Sequence, residues 1–163
     1  MKQRTFRSVQ IGRSTIVASK SSTCALYTDG GARGNPGPAA AAGVILAGDC
    51  TVVEEVSEYL GTTTNNVAEY RALAITLRRA KALGFENVVV HMDSELIVRQ
   101  LNGIYRVKDA KMLELYGEVR KLLREFSDWK VVHVPRSENK HADELVNAVL
   151  DARAGQPPQE GGT

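Results

Sequence analysis

Three apolar segments follow one another almost without a gap between residues 25 and 61: "ALYTDG", then "AAGVILAG" after a loop of Gly and Pro, then the alternating "TVVEEVSEYLG". Short apolar runs bounded by turn residues read as strands. Connections this short reverse the chain, since parallel neighbours need a crossover of a dozen or more residues. The chain therefore opens as an antiparallel meander. The period then changes. "TTTNN" supplies helix N-cap residues. Behind it Val67, Tyr70, Leu73, Leu77 and Ala80 recur at helical spacing, with Gly84 as the stop. "NVVVHMD" is a short, nearly all-apolar strand, expected to be buried on both faces. A second helix starts at Ser94 and stops near Gly103. A third covers roughly residues 109–126, with Met112, Leu115, Val119, Leu122 and Phe126 on one face. "WKVVHV" is a fifth strand, and "NKHADELVNAVLDA" a last helix with Ala142, Leu145, Val146 and Val149 as its apolar stripe. The order β-β-β-α-β-α-α-β-α predicts an α/β fold: a mixed five-stranded sheet flanked by helices.

The 163 residues suit one domain with a real core. Charge is unevenly placed. Residues 1–28 hold five basic residues and no acid, whereas residues 29–153 hold 16 basic and 18 acidic residues. The globular part is therefore not a general polycation, and a polyanion would be held by a local patch or through metal ions. Residues 1–22 read as a basic, flexible extension, 23–153 as the folded domain, and 154–163 as a disordered tail. The longest apolar stretch, "AAAAGVILAG", is too short to span a bilayer, and the N-terminus has no signal-peptide core. Cys24 and Cys50 form neither a disulfide framework nor a zinc pattern, so a reducing cytoplasm is the expected setting. Cys24 is expected just before the first strand and Cys50 at the end of the second; the register between them is open.

Asp29 stands out. An aspartate in a strand is disfavoured, and a buried carboxylate is costly without a partner. Asp-Gly and Asn-Pro-Gly are also ordinary turn signals, enough to explain "YTDGGARGNPGP" taken alone. Three further acids shift that balance. Glu69 lies in the first turns of the first helix, Asp93 at the carboxyl end of the fourth strand, and Asp143 at the start of the last helix. Each adjoins buried positions on a different element, which points to one shared site. Clustered carboxylates cannot all ionise without a compensating cation. For an all-oxygen set that cation is Mg²⁺ or Mn²⁺. Two such ions roughly 4 Å apart serve phosphodiester chemistry.

"YTDGGARGNPGPAAAAGVIL", "TTTNNVAEYRAL", "VVVHMDSELIV" and "VPRSENKHADELVN" resemble, in order, the motifs of type 1 ribonuclease H. The resemblance covers about residues 24–152. It implies the ribonuclease H-like fold and a two-metal-ion endonuclease that cuts the RNA strand of RNA/DNA hybrids, leaving 5′-phosphate products. It also makes Asp29, Glu69, Asp93 and Asp143 the metal ligands. Gly30, Gly31, Arg33, Gly34 and Asn35 would lie against the RNA strand near its 2′-hydroxyls, which distinguish RNA from DNA. The glycines would let backbone and nucleic acid approach closely. Thr64 and Asn65 resemble the family's DNA-phosphate contacts and Asn66 its minor-groove contact; helix capping is the other reading of "TTTNN". A monomer is expected, with double-stranded RNA as a second substrate.

The chain departs from well-studied bacterial members in two places. It has only "NGIYRVKDAK" where they carry a long basic insertion, and so resembles the branch without that protrusion. Arg99, Arg106, Lys108 and Lys111 are either a modest substitute or a solvated face. Glu95 replaces a substrate-touching glutamine. Many members also place a mobile histidine before the last acid, where this chain has Arg136. An arginine stays protonated and cannot act as a base. It can hold a phosphate with a forked pair of hydrogen bonds, so Arg136 is the expected assistant in catalysis. His91, His133 and His141 read as packing or surface residues. The same residues leave two alternatives open: a nucleic-acid-binding module of the same fold with little turnover, and a transposase-like or Holliday-junction nuclease.

Overall fold

A computed structural model describes residues 22–155. The N-terminal extension up to residue 21 and the tail from residue 156 lie outside the described residues. The opening meander is formed by β1 (Thr23–Ala32), β2 (Gly37–Ala47) and β3 (Val52–Thr63). Then come α1 (Asn65–Ala82), β4 (Asn87–Met92), α2 (Glu95–Leu101), α3 (Ala110–Leu123), β5 (Asp128–His133) and α4 (Lys140–Ala154). A short 3-10 turn, Arg136–Glu138, precedes α4. The sheet order is β3-β2-β1-β4-β5. β1, β2 and β3 pair antiparallel, while β4 runs parallel to β1 and to β5.

Helix starts follow the capping residues. Thr64 Oγ1 accepts from Val67 N–H at 3.3 Å, Ser94 Oγ from Ile97 N–H at 3.4 Å, and Asp109 Oδ1 from Lys111 N–H at 2.8 Å. Each satisfies a backbone donor that the first helical turn leaves open. Gly84, at φ +96°, ends α1 in the left-handed conformation that glycine adopts without strain.

The two sheet faces are covered unequally. On one face Leu26, Ile45, Val88 and Val90 pack with Tyr70, Leu73 and Leu77 of α1, Ile97 and Leu101 of α2, and Val119 and Leu123 of α3. Tyr70 is fully buried, and its hydroxyl donates to Gln100 Oε1 at 2.6 Å. On the other face, among the described residues, only α4 lies down, seating Val146 and Leu150 on Ala40 and Ala42. The small alanines let the helix come close.

This asymmetry corrects one expectation. β4 is not buried on both faces: Val88, Val90 and Met92 are buried, but Asn87, Val89 and His91 only partly so. The strand buried on both faces is β2, whose Ala39 to Ala42 are fully enclosed. The reason is where α4 lies, over β2 and β1 rather than β4. Beyond it Ala25, Tyr27, Val44, Leu46 and Val89 line an open groove of about 530 Å³. The strand limits also place the cysteines differently. Cys24 lies inside β1 opposite Ala47, and Cys50 lies in the β2–β3 turn, its N–H donating to Ala47 O at 2.9 Å. Cys24 is buried, which pushes its thiol up to about 12, and both thiols are unpaired.

Candidate metal centre

Each of the four acids arrives on a different element. Asp29 is in β1 opposite Ala42, on the face that carries α4. Glu69 is in the second turn of α1, Asp93 directly follows β4, and Asp143 is in the first turn of α4. Carboxylate oxygens of Asp29, Glu69 and Asp93 all lie within 4.8 Å of one another. Asp143 lies close enough to Asp29 for its carboxylate to disfavour the Asp29 charge. Asp29, Glu69 and Asp143 line a cleft of about 280 Å³, with Gly31, Arg33, Asn65, Arg136 and Asn147 around them; Asp93 is held beside it by its closeness to Asp29 and Glu69.

Gly30 makes this convergence sterically possible. A Cβ added there would run into the Ala68 carbonyl and lie 2.6 Å from Glu69 N. The bare glycine lets β1 press against α1 where Glu69 sits, one residue after β1 delivers Asp29 to the cleft. Sequence reasoning gives the glycines after Asp29 to nucleic-acid contact; the packing of Gly30 against α1 is an additional task visible only in three dimensions.

The electrostatics are those of a crowded acidic site. Asp29 is 7% exposed; burial first, then Asp93 and Asp143, push its carboxyl up to about 8. Burial first, then Asp29 and Asp93, hold Glu69 well above the ordinary carboxylate range, partly offset by Gly30 N–H and Arg136. Glu69 Oε1 is buried without a hydrogen-bond partner. Like charges this close resist joint ionisation, and a buried oxygen without a donor is costly. A divalent cation relieves both. The all-carboxylate donor set fits a hard ion.

Of the other residues selected from the sequence, Gly30, Gly31, Arg33, Asn65 and Arg136 line the cleft, and Gly34, Asn35, Thr64 and Asn66 do not. Asn35 Oδ1 accepts from Asn65 N–H at 3.0 Å, and Asn65 Oδ1 accepts from Ala32 N–H at 2.8 Å. These bonds tie the β1–β2 loop, with Arg33 and Gly34, to the start of α1. Thr64 caps α1, so the capping reading of "TTTNN" holds for that residue, while Asn66 is exposed beside it. Arg33 pairs with Asp151 at 2.7 Å and donates to Asn147 Oδ1 at 3.3 Å.

None of the three histidines lines the cleft. His91 stacks on Tyr27 with ring centroids 4.2 Å apart and donates from Nδ1 to Leu26 O at 3.0 Å. His141 donates to Glu55 Oε2 at 2.6 Å, and His133 is exposed at the end of β5. Sequence reasoning passed over two asparagines. Asn139 Nδ2 donates to Asp93 Oδ2 at 3.0 Å, and Asn147 Nδ2 to Asp143 Oδ2 at 3.3 Å. The i to i+4 spacing of Asp143 and Asn147 on one helix was the available signal for the second.

Residues 27–149 match the family described as "Reverse transcriptase-like". The curated "Ribonuclease HI" of Halobacterium salinarum is 42% identical over 125 residues, covering 77% of this chain and 63% of that protein. The chain thus spans less than two thirds of that relative's length. Among solved structures, RNase H1 of Halobacterium salinarum has a TM-score of 0.78 at 41% identity, covering 80% of this chain and 98% of that one. LC11-RNase H1, solved in complex with an RNA/DNA hybrid, has a TM-score of 0.77 at 43% identity, covering 81% and 99%. By family match, identity and fold, the chain belongs to the reverse transcriptase-like family and, within it, to the type 1 ribonucleases H.

Proposed function

We propose that this protein is an endonuclease that hydrolyses the RNA strand of RNA/DNA hybrids with two Mg²⁺ or Mn²⁺ ions held by Asp29, Glu69, Asp93 and Asp143. The observation that carries the reading is the convergence of acids from four separate elements: Asp29, Glu69 and Asp93 oxygens lie within 4.8 Å of one another, Asp143 lines the same cleft as Asp29 and Glu69, and one buried carboxylate oxygen there has no partner. When bound, such ions supply an activated water and stabilise the leaving oxygen and the charge on the scissile phosphate. The chain's own residues do the rest. The four carboxylates fix where the phosphate reacts. Gly30, Gly31, Arg33, Gly34 and Asn35 lie along one rim to receive the RNA strand, and Thr64, Asn65 and Asn66 lie beside them at the start of α1 for the DNA strand. The Asn35–Asn65 bond holds the two groups in register. Double-stranded RNA is the second substrate, and the protein acts as a monomer. Two unpaired thiols suit a reducing cytoplasm. No helix among the described residues is long and apolar enough to cross a membrane.

The test is a gel assay on matched RNA/DNA, RNA/RNA and DNA/DNA duplexes. Hybrid cleavage to 5′-phosphate products should need millimolar-range Mg²⁺ or Mn²⁺, because such sites rely on substrate to complete their ligands. Excess EDTA should abolish it. Full cleavage in chelator overturns the metal reading. Tight hybrid binding without cleavage favours the binding module, and equal cutting of DNA/DNA overturns the substrate class.

Arg136 is assigned to the phosphate. It is exposed, lines the cleft and lies close enough for its charge to act on Glu69. Arg136→Ala should lower turnover by about tenfold to a hundredfold, the scale of one or two charge-assisted hydrogen bonds. His133→Ala and His141→Ala should do much less. Steady-state kinetics on the three folded variants decide this: a parent-like Arg136→Ala beside a crippled histidine variant reverses the assignment.

A further inference from the structure

Asn139 lies between the 3-10 turn and α4, where an asparagine ordinarily caps the helix with its side chain. Here it makes no such bond. The side chain, 1% exposed, turns into the sheet instead. Its Nδ2 donates to Thr28 O at 2.9 Å and to Asp93 Oδ2 at 3.0 Å. Its main-chain carbonyl accepts from Asp143 N–H at 3.2 Å. One residue is thus bonded to Asp93 itself, to the residue before Asp29, and to the backbone of Asp143. This placement has two costs: the cap is forgone, and Asn139 Oδ1 is buried without a partner. Helix stability does not call for either.

We propose that Asn139 is a positioning residue of the metal centre. Its amide ties the Asp93 carboxylate to β1 through one oxygen, so that the other faces Asp29 and Glu69 before any ion arrives. The inference rests on the metal-dependent reading above. The amide works because it is a donor: an N–H supports the ionised carboxylate, and an oxygen in its place repels it. Hydrogen bonds to ligating side chains change metal affinity by about tenfold to a hundredfold.

Asn139→Ser separates this role from a structural one. Serine is a good N-cap but too short to reach Asp93, so the variant should melt at or above the parent temperature and still bind metal poorly. Asn139→Asp keeps the shape and replaces the donor with an acceptor. Mn²⁺ is titrated calorimetrically into each metal-free protein without nucleic acid, and cleavage is measured against Mn²⁺. Both variants should bind Mn²⁺ about tenfold to a hundredfold more weakly than the parent, with half-saturating Mn²⁺ for cleavage rising alike and KM for the hybrid unchanged. A folded Asn139→Ser that binds Mn²⁺ within twofold of the parent overturns the proposal. So does a loss of activity that only follows a loss of melting temperature. A parent that neither binds Mn²⁺ nor cuts would instead overturn the metal-dependent reading beneath it.

Discussion

Asp93→Asn is expected to keep the fold and hybrid binding while losing cleavage by roughly a hundredfold to a thousandfold or more, the scale of removing one preorganised electrostatic partner. The substitution is nearly isosteric. Asp93 follows β4 and is only half-buried, so no packing is lost. What changes is charge. The Asp93 carboxylate raises both Asp29 and Glu69, and removing it relieves that repulsion. The metal-free variant should therefore melt at or above the parent temperature. More stability with less activity is the signature of a site whose strained charges serve function. Simple damage to the fold would lower both together. Single-turnover cleavage at saturating Mg²⁺, with a melting curve on the same preparation, tests the pair of outcomes. Cleavage within tenfold of the parent would refute the assignment of Asp93 to the metal centre.

The four acids were legible in the sequence because each breaks a local rule. Asp29 interrupts an apolar strand; Glu69, Asp93 and Asp143 adjoin positions that helical or alternating spacing marks as buried. The meander was legible because its turns are too short for any other connection. Asn139 was not, because "SENKHAD" reads as an ordinary helix start and nothing local indicates that the side chain turns inward. The half-open face of β4 was hidden for a related reason. Its apolar run is compatible with full burial, and only the position of α4 decides how far the second face is covered. Cys50 is a legible case read wrongly: Gly48 and Asp49 in "ILAGDC" are turn residues that mark the stop of β2 at Ala47 and leave Cys50 in the turn. Local chemistry sets element type; the covering of faces and the direction of single side chains come from elements far away in the chain.

Gly30→Ala is the prediction that tests this long-range packing. The added methyl would meet the Ala68 carbonyl and the Glu69 nitrogen, atoms of the α1 backbone that no rotamer change can move aside. Either α1 retreats or β1 bends. Over-packing in a core costs about 1–3 kcal/mol even where side chains can adjust. Contact with backbone puts this case at the upper end or above, a fall in melting temperature of roughly 10 °C. Activity should fall as well, below the melting range, because the same shift separates Glu69 from Asp29; a displacement of about 1 Å is worth on the order of a hundredfold in rate. Gly117→Ala is the matching control. Gly117 lies inside α3 with nothing within 4 Å of an added Cβ, so the same chemical change there should stabilise by about 0.5–1 kcal/mol. One substitution type with opposite signs at two positions separates close packing from helix propensity. If Gly30→Ala melts within a few degrees of the parent and cleaves normally, β1 and α1 are not in the close contact that brings Asp29 and Glu69 together.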